Sequence, residues 1–273
     1  MIIIKTINYI ILAIIQGLTE PLPISSSGHM KLFEMVFTNK LMTDLNYEVI
    51  CNFGSFIAIL IIFWKDIIKF ITDFFNFIFS KENKEKYKKG FWYCIYVVIS
   101  TIPLVITGLL YEILEFDKKI ISPYFLGFAF LITAISLFIV RNNKGKKEDF
   151  DITLKDAIII GLFQAITFMP GISRSGTVLV ACLLCKLKPS TALKYTFILY
   201  FPVSLGAMAL SIPDLISPSI VSMIPTYLIG LAISGVITYL SYEWLSSWVK
   251  KGKLIYFSIY CLLLSIFIFI FFR

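Results

Sequence analysis

The sequence predicts an all-α integral membrane protein, one membrane domain over residues 1–273. It is expected to be an inverted-topology repeat with about six full transmembrane helices and two re-entrant helical hairpins. Three observations lead there. Long apolar segments carry almost no charge. Two shorter apolar runs are interrupted by proline, serine and glycine. The two interruptions share a residue pattern.

The chain is 58% hydrophobic, 16% aromatic and only 15% charged, with a mean hydropathy of +0.87. Soluble domains sit near about 45–50% apolar and about 25% charged. Segments 91–110, 123–140, 195–213, 219–242 and 254–272 have no charged residue, and each is long enough to cross about 30 Å of hydrocarbon as a helix. Segment 47–64 is the sixth and carries one acid, Glu48.

From the N-terminus, Ile2–Ile15 is apolar, but Gln16–Glu20 and the prolines after them do not read as a small-residue cleavage site, so no cleavable signal peptide is expected. Residues 2–37 and 152–190 each hold two short apolar pieces around a break. Lysine and arginine collect at Ser80–Gly90, Arg141–Asp151 and Val249–Lys253, while Tyr111–Ser122 and Ser211–Ser219 hold only Lys118 and Lys119. The positive-inside rule makes the first three loops cytoplasmic. Segment 47–64 then runs inward, with 67–79 at the inner interface. Segment 91–110 runs out, 123–140 in, 195–213 out, 219–242 in and 254–272 out. For these signs to hold, 2–37 and 152–190 must each return to the side they entered. One hairpin is expected from outside, tip near 21–28, and one from inside, tip near 169–176. The competing reading has 2–20 crossing fully.

Aligning Gln16 with Gln164, an offset of 148, also pairs Thr19 with Thr167, Ile24 with Ile172, Ser25 with Ser173, Ser27 with Ser175 and Gly28 with Gly176. The same offset pairs Tyr47 with Tyr195 and Phe53 with Phe201. Repeat one is read as about 1–110 and repeat two as about 123–273. Inverted repeats with broken helices place polar sites near the midplane, so the two interrupted stretches should meet in space.

The five cysteines all lie in apolar segments. Cys182 and Cys185 form a CxxC, a metal or redox cue elsewhere, but no other metal-type ligands are near in sequence. They read as small hydrophobes. The net charge of +8 would suggest nucleic acid in a soluble protein. Here it sits in short loops, so its partner is anionic lipid in the bilayer and no nucleic acid is expected. The Phe-rich segments 70–79 and 266–272 read as lipid-facing surface, and Lys186, Lys188 and Lys194 as inner-surface charges.

Each tip runs through Ser-x-Ser-Gly into a helix. Serine hydroxyls and free N–H groups at a helix start favour an anion. Ser27, Gly28, Ser173, Ser175 and Gly176 therefore make a candidate phosphate cradle, with Arg174 supplying a fork suited to phosphate oxygens. The bland role for Arg174 is a salt bridge to Glu20 or Glu48 that only joins the hairpins. His29 is the only histidine. It is read as catalytic because it comes directly after the serines and titrates near neutrality. Ser26 and Ser27 are candidate nucleophiles or phosphate donors, and Ser25 reads as a helix cap. Glu20 is a metal ligand, a base, or the partner that orients His29. Gln16 lies one turn before Glu20 on the same face. Glu48 is a further metal-ligand or supporting candidate.

At these residues the chain resembles the bacitracin-resistance type of undecaprenyl-diphosphate phosphatase. The resemblance rests on Gln16-Gly17-Leu18-Thr19-Glu20, on Ser25-Ser26-Ser27-Gly28-His29, and on Pro170-Gly171-Ile172-Ser173-Arg174-Ser175-Gly176. Gln16 stands where the glutamate-led form has a carboxylate, and Pro21 where an aromatic residue is usual. The resemblance implies a multi-pass enzyme of the bacterial plasma membrane with its site opening to the outer face. It implies removal of the terminal phosphate of undecaprenyl diphosphate, a polyprenyl diphosphate lipid, so that the carrier returns to peptidoglycan synthesis. It also implies dependence on Mg²⁺ or Ca²⁺. Other membrane lipid phosphatases use a second histidine as nucleophile, which this chain lacks. Serine attack, histidine attack and direct water attack all remain open. The rival function is a transporter or flippase for a phosphate-bearing lipid, which shares the architecture but needs no nucleophile–base set. A purely structural anchor leaves Arg174 and Glu20 unexplained. Oligomeric state is open, a homodimer included.

Overall fold

The computed structural model describes residues 2–37, 45–80, 84–113, 122–169, 171–215 and 223–272. Among them are ten α-helices: α1 Ile2–Thr19, α2 Ser26–Phe37, α3 Leu45–Phe79, α4 Lys84–Ile113, α5 Pro123–Val140, α6 Leu154–Ile166, α7 Arg174–Leu184, α8 Pro189–Leu215, α9 Ile224–Lys250 and α10 Leu254–Phe271. A single 3₁₀ turn, Asp149–Asp151, precedes α6. Helices α3, α4, α5, α8, α9 and α10 are long and apolar enough to cross a membrane, as the sequence predicts. The chain is a multi-pass membrane protein. Pro170, Lys81 and the segments 114–121 and 216–222 of the two lysine-poor loops lie outside the described residues.

Helix starts obey the local chemistry. Pro123 opens α5 behind Ser122, whose hydroxyl accepts the Phe125 N–H. Thr153 and Asp156 close a capping box at α6. Ser173 caps α7, accepting the Gly176 N–H at 3.0 Å. Ser25 does the same for the Gly28 N–H at 3.1 Å, the capping role expected of it.

One expectation changes. Segment 67–79 is not a separate interfacial piece but the continuation of α3, whose 35 residues extend about 52 Å at 1.5 Å per residue. Nor is 70–79 wholly lipid-facing. Phe70 stacks on Tyr93 at 4.1 Å, and Phe74 and Phe77 pack on Phe91, because Gly90 lets α4 come against Asp73. Phe75 and Phe79 do remain exposed.

The packing register gives the helix directions. Ser234 donates to the Cys51 carbonyl and Thr238 to Ser55, so α3 and α9 run parallel. Tyr47 donates to the Tyr9 carbonyl and packs against Tyr227, while Gly17 lies under Ser234 and Ile237, so α1 runs with them. Ser100 donates to the Ala157 carbonyl, and Gly108 lies by Phe168, so α6 runs with α4. The α3–α4 pair is antiparallel through Phe70–Tyr93 and Asp73–Gly90. Hence α1 and α6 run in opposite directions. Helices α5 and α10 pair antiparallel, with Ser258 donating to the Ala134 carbonyl and Ser265 to the Gly127 carbonyl.

The packing pairs repeat five helices on. The α1–α9 pair matches α6–α4, α3–α9 matches α8–α4, and α1–α2 matches α6–α7. By this pairing α5 groups with the first five helices, whereas the repeat bounds read from the sequence take residues from about 123 into the second unit. At the crossing of α3 and α8, Tyr200 donates to Asn52 Oδ1 at 2.7 Å, two positions 148 residues apart.

Candidate active site

Two short helix pairs, α1–α2 and α6–α7, bring their tips together. Ser175 donates to the carbonyl of Leu22 at 3.0 Å, and a Cβ on Gly176 would sit 3.0 Å from the Pro23 carbonyl oxygen. Glycine is therefore needed where the start of α7 meets the first tip. Gly171, with φ +87°, turns the chain into Ile172 and Ser173. In the first tip the positive φ falls on Ser25 (+71°), a strained value for serine, whereas its repeat counterpart Ser173 has φ −67°.

Glu20 is the hub of the contact. It is 7% exposed. Its Oε1 accepts from Arg174 Nη2 at 2.9 Å, and its Oε2 accepts from Ser26 Oγ at 2.5 Å and from Gln16 Nε2 at 2.9 Å. Both oxygens of this buried carboxylate are thus met by donors. The Arg174 guanidinium also lies over the Tyr200 ring at 4.6 Å from its centroid. Tyr200 is oriented in turn by Asn52. So α1, α2, α3, α7 and α8 all fix this one cluster.

His29 sits one turn along α2 from Ser26 and meets different partners. Its Nδ1 lies 2.7 Å from the Ser25 carbonyl oxygen and its Nε2 2.8 Å from the Tyr260 hydroxyl on α10. A carbonyl only accepts, so the neutral ring carries its proton on Nδ1 and Nε2 accepts from Tyr260. The ring is flanked by Tyr260 and by the edge of Phe130. The expectation that Glu20 orients His29 is thus corrected: the Ser25 carbonyl does so, and Glu20 orients Ser26.

The residues singled out by sequence fall into distinct groups. Gln16, Glu20, Ser26 and Arg174 are joined by hydrogen bonds. Ser173, Ser175, Gly176, Ser25 and Gly28 build the two helix starts around them. Ser27 comes after Ser26 in the first turn of α2 and is half-buried. Glu48 lies on α3 within electrostatic range of Lys31, Glu34 and Glu20. Cys182 and Cys185 are buried free thiols. Sequence reasoning misses Tyr200, Asn52 and Tyr260. The offset that pairs Gln16 with Gln164 also pairs Asn52 with Tyr200, and that signal is legible in the chain. Nothing in the apolar run of α10 marks Tyr260.

Among the described residues no group of three His, Cys, Asp or Glu side chains is close enough to cage a metal ion. The Glu20 carboxylate and the Gln16 amide oxygen do suit a hard cation that takes its remaining ligands from phosphate oxygens and water.

The bacitracin resistance protein BacA family model matches residues 9–267. Undecaprenyl-diphosphatase 2 of Bacillus thuringiensis (strain Al Hakam) is 40% identical over 266 residues, covering 97% of each chain. Undecaprenyl-diphosphatase of Oceanobacillus iheyensis is 38% identical over 268 residues, 97% of this chain and 96% of that one. Undecaprenyl-diphosphatase 1 of Halalkalibacterium halodurans is 36% identical over 257 residues, 93% and 92%. With the paired tips, the Glu20–Arg174–Ser26 cluster and a match along nearly the whole chain, this protein belongs to the bacitracin resistance protein BacA family.

Proposed function

We propose that this chain is an undecaprenyl-diphosphate phosphatase. It hydrolyses undecaprenyl diphosphate to undecaprenyl phosphate and phosphate, which returns the lipid carrier to peptidoglycan synthesis and confers resistance to bacitracin. One observation carries the reading: a single buried carboxylate, Glu20, binds both a guanidinium, Arg174, and a serine hydroxyl, Ser26.

The hairpins α1–α2 and α6–α7 are re-entrant, the first from the outer face, so that the site opens outward in the bacterial plasma membrane. Support comes from length and direction: the 11 residues of α7 reach only about 16 Å, and α1 and α6 run oppositely. The diphosphate lies at the paired tips and the prenyl tail runs between helices toward lipid. Phosphate oxygens take over Arg174 from Glu20, and the α7 N-terminus adds its free N–H groups. Ser26 Oγ then bonds to the terminal phosphorus as Glu20 takes its proton. The bond from that phosphorus to the bridging oxygen breaks, and its electron pair leaves with undecaprenyl phosphate. Water next attacks the phosphoserine, the phosphorus–Oγ bond breaks, and Ser26 regains a proton. His29 Nε2 gives up the Tyr260 hydroxyl and carries the water's proton away. Mg²⁺ or Ca²⁺ would be held by Glu20 and Gln16 and would offset diphosphate charge.

Purified protein in detergent tests this, since transport needs two compartments and hydrolysis needs none. We expect release of phosphate from undecaprenyl diphosphate, loss of release on chelation, and a fall of about 100-fold or more in Arg174→Ala and Glu20→Ala. Near wild-type release by either variant would sink the assignment. A trapped phosphate on a residue other than Ser26 would overturn the serine step.

A further inference from the structure

Gln164 is the polar side chain that this mechanism leaves unused. It stands in the last turn of α6, 1% exposed, and neither its Oε1 nor its Nε2 has a hydrogen-bond partner among the described residues. A buried amide with both ends unmet is costly, and proteins rarely keep one without a use. Its repeat counterpart is satisfied: Gln16 donates to Glu20 Oε2. The same offset puts Phe168 where Glu20 stands, so the second hairpin keeps the amide and lacks the acid. Gln164 faces a cavity bounded also by Glu20, Arg174, Ser175, Thr196 and Tyr200. The cavity measures about 10 Å³ as it stands, roughly the size that admits one water. A phosphoryl group reaches Gln164 only as the Arg174–Glu20 pair parts, which the proposed reaction requires in any case.

We infer that Gln164 is a substrate-positioning residue whose Nε2–H₂ donates to a phosphoryl oxygen of the diphosphate that Arg174 holds. Phosphate oxygens only accept, and the amide brings two donors without adding a charge beside Arg174 and Glu20. A prenyl tail in the same place would leave the amide unmet. The inference rests on the diphosphatase reading and adds to it a residue from the second hairpin on the phosphate itself.

The test uses the full chain in detergent, with inorganic pyrophosphate as the binding probe. Gln164→Leu removes the unmet polar atoms at similar size. Without ligand it should melt at or above the wild-type temperature. Its pyrophosphate-dependent rise in melting temperature should shrink, and KM for undecaprenyl diphosphate should rise about tenfold or more, with kcat changed less. Gln164→Met serves the same purpose should the leucine variant fail to fold. A variant that keeps the wild-type KM and the wild-type pyrophosphate shift overturns the inference, and so does one that melts lower with KM unchanged. Wild-type protein that hydrolyses no undecaprenyl diphosphate sinks the diphosphatase reading itself. Wild-type hydrolysis beside an unaltered Gln164→Leu sinks this inference alone.

Discussion

At the scale of single residues, one carboxylate organises three others. Glu20 has two oxygens and meets three donors, so removing any one donor changes how the other two compete for it. The imidazole is set up differently. The tautomer of the neutral ring is set by a backbone carbonyl on one side, with a phenol on the other. Tyr260→Phe keeps the ring stack and deletes only the hydroxyl that meets Nε2. One neutral hydrogen bond is worth about 1 kcal/mol, so the melting temperature should fall by about 2–4 °C, while kcat holds or rises because Nε2 no longer gives up that bond to take the water's proton. A kcat that falls about fivefold or more would show that the hydroxyl assists the histidine in the reaction itself. Sequence alone picks out His29, because the chain holds no other; of the three roles it leaves open to Glu20, the one of orienting His29 is not what the geometry shows. Sequence spacing puts Glu20 near His29, but Ser25 at its left-handed φ turns the start of α2 so that Ser26, not His29, meets the carboxylate.

At the scale of elements, close helix contact depends on small residues, as expected where lipid provides no hydrophobic drive between helices. Helices α3 and α9 meet at Gly54, where a Cβ would run into the Leu231 carbonyl and the Ser234 hydroxyl. Alanine has the better intrinsic helix propensity, by about 1 kcal/mol, while overpacking costs about 1–3 kcal/mol. Both obstacles belong to α9, one of them backbone, so the clash wins and widens to valine. We expect Gly54→Val to lower the melting temperature in detergent by about 5–10 °C. A variant that melts at or above wild type would show that this contact does not set the spacing of the two helices. The long α3 shows a limit of pattern reading. The charges from Lys65 and Asp66 onward mark the end of its apolar run, but nothing local says that the helix continues unbroken to Phe79 and pairs there with α4.

For the whole molecule, the distribution of lysine and arginine and the directions of the helices are independent, and they agree. The charge rule sends α3 and α9 inward together, and their register runs parallel. It sends α5 in and α10 out, and their register is antiparallel. Labelling of single cysteines checks the topology, with four of the five native thiols buried. Ser122→Cys should react with an impermeant maleimide on intact cells. Lys144→Cys and Lys251→Cys, both exposed, should react only after permeabilisation. The reverse pattern would invert the protein and put the site on the wrong face.

The sequence by itself determined the helical class, the six long apolar helices, the two interrupted segments and the ionic groups at their tips. Hydropathy, charge sign and the cost of buried ions are local properties and can be read along a chain. It also paired the two tips, because a residue pattern repeated at a fixed offset survives in the order of letters. Only the tertiary structure decided which donor meets which oxygen of Glu20, that Tyr260 of the last helix closes on His29, and that Gln164 keeps an unmet amide beside Arg174. Those outcomes depend on crossing positions and rotations between helices far apart in sequence, where a shift of about one turn, roughly 5.4 Å, exchanges every partner.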